Sequence, residues 1–357
     1  MVVGLRDTRC GHPSCCWIRA TATHNDTLSD ASLVVLSGLN QSQAEQIPRE
    51  RSPVTTVITG AFSYTGKYST RLLLSRGYTI RTLTHHLKRE NPFGEKVQVF
   101  PYNFENPDRL TETLRGASTL INTYWVRFPH GTSTFETAVK NTCTLIDAAK
   151  NAGVRRIVHV SIANPSVESA LGYYRGKARL EQAVQESGLA YTILRPTVIF
   201  GLEDILINNI AWFVRRFPVF GIPGDGSYRI RPIYVEDMAQ LIADAVDQQG
   251  NTVLDAVGPE AFSFEELVRL IAAQVDRSVR LVHLPMPLAY VFTLVTGWFV
   301  RDVVLTREEY KGLMANLLAP EGPASGETRL SQWLASNREH VGTQYASEVA
   351  RHFSKPS

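Results

Sequence analysis

Residues 57–68 read VITGAFSYTGKY, from Val57 to Tyr68. A compact apolar run (Val54 to Ile58) enters a turn flanked by Gly60 and Gly66, and a helical stretch to about Ser75 leaves it. Between a strand and a helix, small residues let the backbone approach a pyrophosphate, and the helix start offers free N–H groups and a positive dipole end. A P-loop would need GxxxxGK followed by Ser or Thr. Ala61 stands where its first glycine belongs, and Lys67 is followed by Tyr68. A dinucleotide-binding turn is therefore expected, with a tight turn that holds no ligand as the alternative.

Moving outward, short β-rich runs alternate with amphipathic helices. Strands are predicted over Tyr78 to Leu83, Val97 to Tyr102, Ser118 to Thr123, Arg156 to Val160 and Ala190 to Leu194. Helices are predicted over Phe135 to Ala152 and Tyr173 to Ser187, closed by Gly153 and Gly188. This alternation predicts an α/β fold, a doubly wound parallel sheet with helices on both faces. Past Gly201 the chain becomes loop-rich (VFGIPGDGSYRI, Val219 to Ile230), as expected of a smaller substrate-side region at the carboxyl end of the sheet. The expected division is an extension over 1–52, a dinucleotide-binding domain over 53–200, substrate-side elements over 201–320 and a helical C-terminal extension over 321–357.

The chain has 357 residues, with 37 Lys and Arg against 34 Asp and Glu, for a net charge of +3. No basic block is long enough for a nucleic-acid footprint. Four cysteines cannot form a disulfide framework in a chain this long. Cys10, His12, Cys15 and Cys16 lack a second ligand pair, so no metal site is expected. Arg6, Arg9 and Arg19 precede no continuous apolar core of a secretory signal. A cytoplasmic protein is expected, with an organelle presequence as the alternative. Leu281 to Val300 (LVHLPMPLAYVFTLVTGWFV) is interrupted by His283, Pro285 and Pro287. It is too short to span a bilayer and reads as a buried or groove-lining helix, with peripheral membrane contact left open.

Two features bear on chemistry. An NAD site carries an acid after the second strand for the ribose 2′-hydroxyl. Here Arg81 to Arg89 reads RTLTHHLKR, without an acid. A 2′-phosphate would suit His85 and its neighbours Arg81 or Lys88, so NADP is favoured over NAD. Further on, Tyr173 and Lys177 form a YxxxK pair on one helix face, twelve residues beyond Ser161 at a strand end. An ammonium beside a phenol lowers its pKa, which suits proton transfer accompanying hydride transfer.

At these residues the chain resembles the short-chain dehydrogenase/reductase superfamily, in its extended and atypical, epimerase-like branches. The shared pieces are TGAFSYTG (Thr59 to Gly66), RIVHVS (Arg156 to Ser161), YYRGK, LRPTVIFG (Leu194 to Gly201) and RPIYVEDMAQLI (Arg231 to Ile242). They occur in order, and the likeness covers about Val54 to Leu318. The resemblance implies a Rossmann-type fold. It makes Tyr173 the acid/base, Lys177 its pKa-lowering and ribose-binding partner, and Ser161 the carbonyl-orienting hydroxyl. Thr59, Gly60, Phe62, Ser63, Tyr64 and Gly66 would line the diphosphate. Asn103 and Phe104 would lie near the adenine, Pro196 to Val198 near the nicotinamide, and Asn141 would support the lysine through water.

The chain departs from the pattern at Ser63, where the middle glycine belongs, and at Asn103, where an acid is usual. Ile162 and Ala163 follow Ser161 in place of the two acids of the dehydratases, which disfavours dehydration. The likeness is greatest to NmrA-like sensors and the accessory nucleotide-binding subunit of respiratory complex I. Two functions follow from the resemblance, the first expected and the second its alternative. One is an NAD(P)-dependent oxidoreductase or epimerase acting on a small or nucleotide-linked substrate. The other is a non-catalytic NAD(P)H-binding regulator or assembly factor.

Overall fold

A computed structural model describes residues 54–349. The first half runs β1 (Thr55–Thr59), α1 (Tyr64–Ser75), β2 (Thr79–Thr84), β3 (Val97–Pro101), α2 (Pro107–Leu114), β4 (Thr119–Asn122), α3 (Phe135–Asn151), β5 (Arg156–Val160), α4 (Gly172–Glu186) and β6 (Ala190–Pro196). It continues with β7 (Ile199–Phe200), α5 (Leu206–Arg216), β8 (Val219–Pro223), β9 (Arg229–Ile230), β10 (Ile233–Tyr234), α6 (Val235–Asp247) and β11 (Thr252–Ala256). Last come β12 (Phe262–Ser263), α7 (Phe264–Gln274), β13 (Arg280–Leu284), α8 (Met286–Val300), α9 (Arg307–Met314) and α10 (Leu330–Asn337).

Seven parallel strands form one sheet in the order β11-β6-β5-β4-β1-β2-β3. Order reverses between β1 and β4, and ligands of doubly wound sheets bind outside the strand ends at such a switch. Alternate side chains serve opposite faces of the sheet. Val57, Leu120 and Ile157 stand in register and pack with Leu110, Leu145 and Val184 of α2, α3 and α4. Their neighbours Ile58, Ile121 and Val158 pack with Leu73 of α1 and with Met238 and Ile242 of α6. Because both faces are covered, the central strands bury nearly every residue, threonines included, around their Val, Ile and Leu side chains. Each such side chain fully buried contributes about 1.5–3 kcal/mol.

A separate apolar cluster gathers Phe200, Ile210, Phe264, Leu267, Ile271, Trp333 and Leu334 from β7, α5, α7 and α10. The chain does not divide cleanly between the two cores. After Phe200 has begun the second, α6 returns to cover the sheet and β11 adds its edge strand beside β6. The expected extension 1–52, with its cysteines, lies outside the described residues.

Three segments differ from expectation. Asn106 caps α2 by accepting from Arg109 N (3.1 Å), with Pro107 at the first position, a start signal the periodicity alone did not isolate. The loop-rich stretch after Val219 contains β8 and β9. The apolar run before Arg301 is not a buried helix. It splits into β13 and α8, and of the fifteen α8 residues only Ala289 is buried. No helix among the described residues is long and apolar enough to cross a membrane.

β1 lies inside the sheet, paired on both sides, and starts at Thr55. Removing residues 1–51 should therefore leave a soluble protein with a cooperative thermal transition, as circular dichroism would record. Insoluble protein, or loss of that transition, would make the extension part of the fold.

Candidate functional site

The turn between β1 and α1 is fixed by contact. Gly60 has φ +69°, a left-handed conformation open to glycine, and its N–H donates to Leu83 O at 2.9 Å. A Cβ on Gly66 would lie 2.0 Å from Gly60 O, so nothing larger than glycine fits there. Ser63, in the place of the family's middle glycine, is the N-cap of α1, and its Oγ accepts from Gly66 N at 3.3 Å. No acid stands in the first turn of α1 to compete with an anion. The N–H groups of Tyr64 and Thr65 at its start have no acceptor within the helix. The other expected residues of this group point elsewhere. Thr59 Oγ accepts from Thr123 N at 2.7 Å inside the sheet. Phe62 packs into the core facing α1 and α6. The Tyr64 hydroxyl sits over Gly201, where a Cβ would meet it at 2.5 Å. Lys67 forms an ion pair with Glu203.

Four rings converge where β2, β3 and β4 end. His85 lies 4.6 Å from Tyr102, Phe104 stacks on Tyr102 at 4.8 Å, and Tyr124 lies 5.1 Å from both tyrosine and phenylalanine. Asn103, between two of them, takes φ +49°, which turns the chain so that its neighbours share one cluster. Burial and the neighbouring His86 lower the His85 pKa below the usual imidazole value, so it carries little charge at neutral pH. Arg81 is already committed, its guanidinium donating to Arg115 O (2.8 Å) and Thr113 O (3.2 Å) at the end of α2.

At the far end of the site, α4 packs against β5. Lys177 is buried and donates to Val160 O at 2.8 Å. Burial, opposed by Glu181, pulls its pKa down to about 7. Its ammonium lies 4.8 Å from the centre of the Trp125 ring. Trp125 fits against α4 because residue 176 is glycine, where a Cβ would approach the indole to 2.7 Å. The indole stacks on Phe135 at 5.8 Å, and Tyr173 meets both rings edge-on at 5.6 and 5.8 Å. The expected lowering of the Tyr173 pKa does not arise. Burial, Tyr174 and Glu309 raise it, and the cation that opposes them is Arg127. Asn141 donates to the Tyr124 hydroxyl at 3.0 Å, so its side chain serves the aromatic cluster.

Ser161 is buried at the end of β5, its N–H donating to Leu194 O at 2.7 Å, and its Oγ has no partner. Pro196 O accepts from Ala163 N and Val198 O from Ile233 N, both at 2.9 Å, which ties the expected nicotinamide-side loop to β5 and β10. His159, two residues before Ser161 and on the same strand face, escaped the sequence reading. Asn122 Oδ1 accepts from Tyr124 N at 3.1 Å, so its Nδ2 donates to His159 Nδ1, also at 3.1 Å. His159 Nε2 therefore carries the proton, and it too is buried without a partner. Burial and the nearby Lys177 hold this imidazole neutral. An unpartnered buried polar atom costs about 1–3 kcal/mol, so these two atoms mark a place suited to a polar ligand group.

The C-terminal half closes over the start of α4. That helix lacks a capping side chain of its own, and Glu308 of α9 supplies one, accepting from Gly172 N at 3.2 Å and Tyr173 N at 3.1 Å. Its neighbour Glu309 pairs with Arg127, which also faces Glu348 at 3.4 Å. Trp125 follows the fourth strand, where pocket lining or packing was expected of it with Tyr124 and Arg127; Glu308 and Glu309 had no sequence signal, because each acts through a partner far along the chain.

These residues fit a nicotinamide dinucleotide at its pyrophosphate, where the glycine cradle and the α1 N-terminus stand ready. A bound dinucleotide would supply hydride chemistry. The turn would hold its phosphates, the four-ring cluster would flank its adenine side, and Ser161 Oγ offers a hydrogen bond at the other end.

Gly66→Ala should destabilise the protein by about 1–3 kcal/mol through overpacking and weaken NADPH binding at least tenfold, read by melting temperature and by cofactor fluorescence. Unchanged binding would mean the turn is not the phosphate site. Lys177 gives a second expectation. Its folded pKa of about 7 lies below the unfolded value, so the unfolded chain holds the extra proton between roughly pH 7 and 10.4. In that window the stability of the wild type should rise relative to Lys177→Met by up to about 1.4 kcal/mol per pH unit. Urea titrations at pH 7 and 9 measure the difference, and a flat difference would mean the lysine stays charged.

An NAD(P)H-binding family profile matches residues 60–205. The mitochondrial NADH dehydrogenase [ubiquinone] 1 alpha subcomplex subunit 9 of Arabidopsis thaliana is 26% identical over 71% of this chain, which spans 65% of that relative, just under two thirds of its length. A photosystem II assembly factor of Guillardia theta is 23% identical over 69% of the chain and 78% of its own length. Among solved structures, a nucleoside-diphosphate-sugar epimerase from Staphylococcus aureus superposes with a TM-score of 0.64 at 15% identity, covering 79% of this chain and 100% of that one. A UDP-glucose 4-epimerase from Thermotoga maritima gives 0.52 at 16% identity, over 65% and 86%. Those two likenesses establish the fold. Residues 60–205 thus match an NAD(P)H-binding family, and the accessory-subunit and assembly-factor relatives are of the kind that the sequence motifs resemble.

Proposed function

We propose that this protein is a non-catalytic NAD(P)H-binding accessory or assembly factor, in which the dinucleotide stabilises the fold and its docking surfaces. The observation that carries the reading is the covered face of α4. Lys177 is tied to the Val160 carbonyl beneath Trp125, and Tyr173 is edge-on to two rings with Glu308 holding its N–H. A proton relay needs the phenol directed at a substrate oxygen with its pKa lowered by the ammonium, whereas burial raises the Tyr173 pKa. The phosphate turn, by contrast, is intact. Relatives named as a respiratory-complex subunit and as an assembly factor support the same reading, with a protein of such an assembly as the partner. Relatives named as mitochondrial favour an organelle over the cytoplasmic expectation.

NADP is favoured over NAD because no acid stands between Thr84 and Arg89. With Arg81 committed and His85 largely neutral, Lys88 is the remaining candidate of the three for a 2′-phosphate. A second reading, an oxidoreductase or epimerase using Tyr173, Lys177 and Ser161 on a small or nucleotide-linked substrate, is favoured by one observation. Ser161 Oγ is buried without a partner, as a substrate-orienting hydroxyl would be.

Fluorescence titration and a turnover screen separate the two. The accessory reading expects tighter binding of NADPH than NADH and no cofactor consumption with carbonyl or nucleotide-sugar substrates. It also expects Tyr173→Phe to bind as the wild type does. NADPH oxidation that falls about 10²–10⁴-fold in Tyr173→Phe would overturn it in favour of the enzyme.

A further inference from the structure

The longest apolar surface of the described residues lies on α8. Met286–Val300 contains no charged residue, and Leu288, Val291, Phe292, Leu294 and Val295 are all more than half exposed. Exposure peaks at its end, with Trp298 at 83% and Phe299 at 73%. A solvated helix ordinarily turns a polar face outward. This one has none to turn.

The apolar surface extends beyond α8 by contact. Asp302 N donates to Gly297 O at 2.9 Å, and Asp302 accepts from the Tyr345 hydroxyl at 3.0 Å. Tyr345 packs on Trp212 of α5 at 5.3 Å, which in turn meets the exposed Phe217 at 6.2 Å. A cleft of about 380 Å³ lies beside Trp298, bordered by Leu294, Arg301 and Val304.

Charge decides what this surface faces. The local acids are turned inward: Asp302 holds Tyr345 and the Glu348 and Val349 N–H groups, Glu308 caps α4, and Glu309 pairs with Arg127. The cations are turned outward. Arg301 and Arg307 are exposed and make no side-chain hydrogen bond or ion pair among the described residues. Arg216 is exposed, donates to the Gly342 and Thr343 carbonyls, and lies 4.4 Å from the Trp212 ring centre. An aromatic and aliphatic helix fringed by uncompensated arginines complements an anionic lipid surface. A protein partner would need about one hydrogen bond per 100–200 Å², and α8 offers almost no free donors or acceptors. At 15 residues the helix is about 22 Å long, against roughly 30 Å of hydrocarbon, so it can enter one leaflet but not cross.

We propose that α8, with Arg301 and Arg307 at its end, is a peripheral membrane anchor that inserts Trp298 and Phe299 into the headgroup region of an anionic bilayer. The anchor is independent of whether the dinucleotide site turns over. Flotation of the full chain with vesicles tests it, using phosphatidylcholine alone and phosphatidylcholine mixed with phosphatidylglycerol. The wild type should float with the mixed vesicles and less with the neutral ones. Trp298→Glu with Phe299→Glu should abolish flotation while leaving the melting temperature and NADPH binding unchanged, since both side chains are solvated. Arg301→Asn with Arg307→Gln should weaken binding to the mixed vesicles about twenty-five-fold, at about fivefold per arginine, and leave binding to the neutral ones unchanged. Wild-type protein that floats with neither vesicle would overturn the proposal, as would unaltered flotation of the glutamate variant. So would concentration-dependent dimerisation, without vesicle binding, that the glutamate variant removes. That result would assign the surface to a second copy of the chain.

Discussion

The bare α-carbon of Gly66 rests against the carbonyl of Gly60, and the nucleotide side of the molecule is organised around that contact. It sets how closely α1 leaves β1, hence the reach of Ser63 to Gly66 N and the direction in which the N–H groups at the helix start point. It also sets where α1 packs, and α6 lies against it on the same face of the sheet. A methyl group at residue 66 would displace the helix and everything stacked on it. Serine in place of the family's middle glycine costs the turn little, because its hydroxyl is taken up as the cap.

The parallel sheet was legible because its signals are local. Strand runs such as Arg156 to Val160 set β-branched apolar residues on both faces, and Gly153 and Gly188 close the helices beside them. The candidate site was legible only in part. Its glycines and the YxxxK spacing are adjacent in sequence, and the structure brings Ser161 and Lys177 to the same end of β5. What covers them was not legible. Trp125 reaches α4 through a space left by Gly176, and Glu308 meets Tyr173 N across 135 residues. Neither pairing has a period or a spacing to betray it. Arg81 illustrates the same limit from the other side, since a cation that suited a phosphate on paper is spent on two carbonyls at the end of α2.

The α8 misreading has a different origin. An apolar run of this length is normally inside a protein, because exposing it forfeits the hydrophobic gain. Periodicity reports that a segment avoids water without saying what it finds instead. Only the burial of Ala289 alone, with the cations left outward and the acids turned in, separates a core helix from one kept for another phase.

The cap that Glu308 lends to α4 has a consequence for how the chain is made. Gly172 and its capping carboxylate are 136 residues apart, so a ribosome adding about 5–20 residues per second separates them by on the order of ten seconds. Six of the seven sheet strands emerge before Thr197, and all but the edge strand β11 can pair while the start of α4 is still frayed. During that interval the indole of Trp125 and the phenol of Tyr173 lack the lid that α9 later provides. The nascent chain thus passes through a half-built stage whose nucleotide end is finished and whose opposite end stands open.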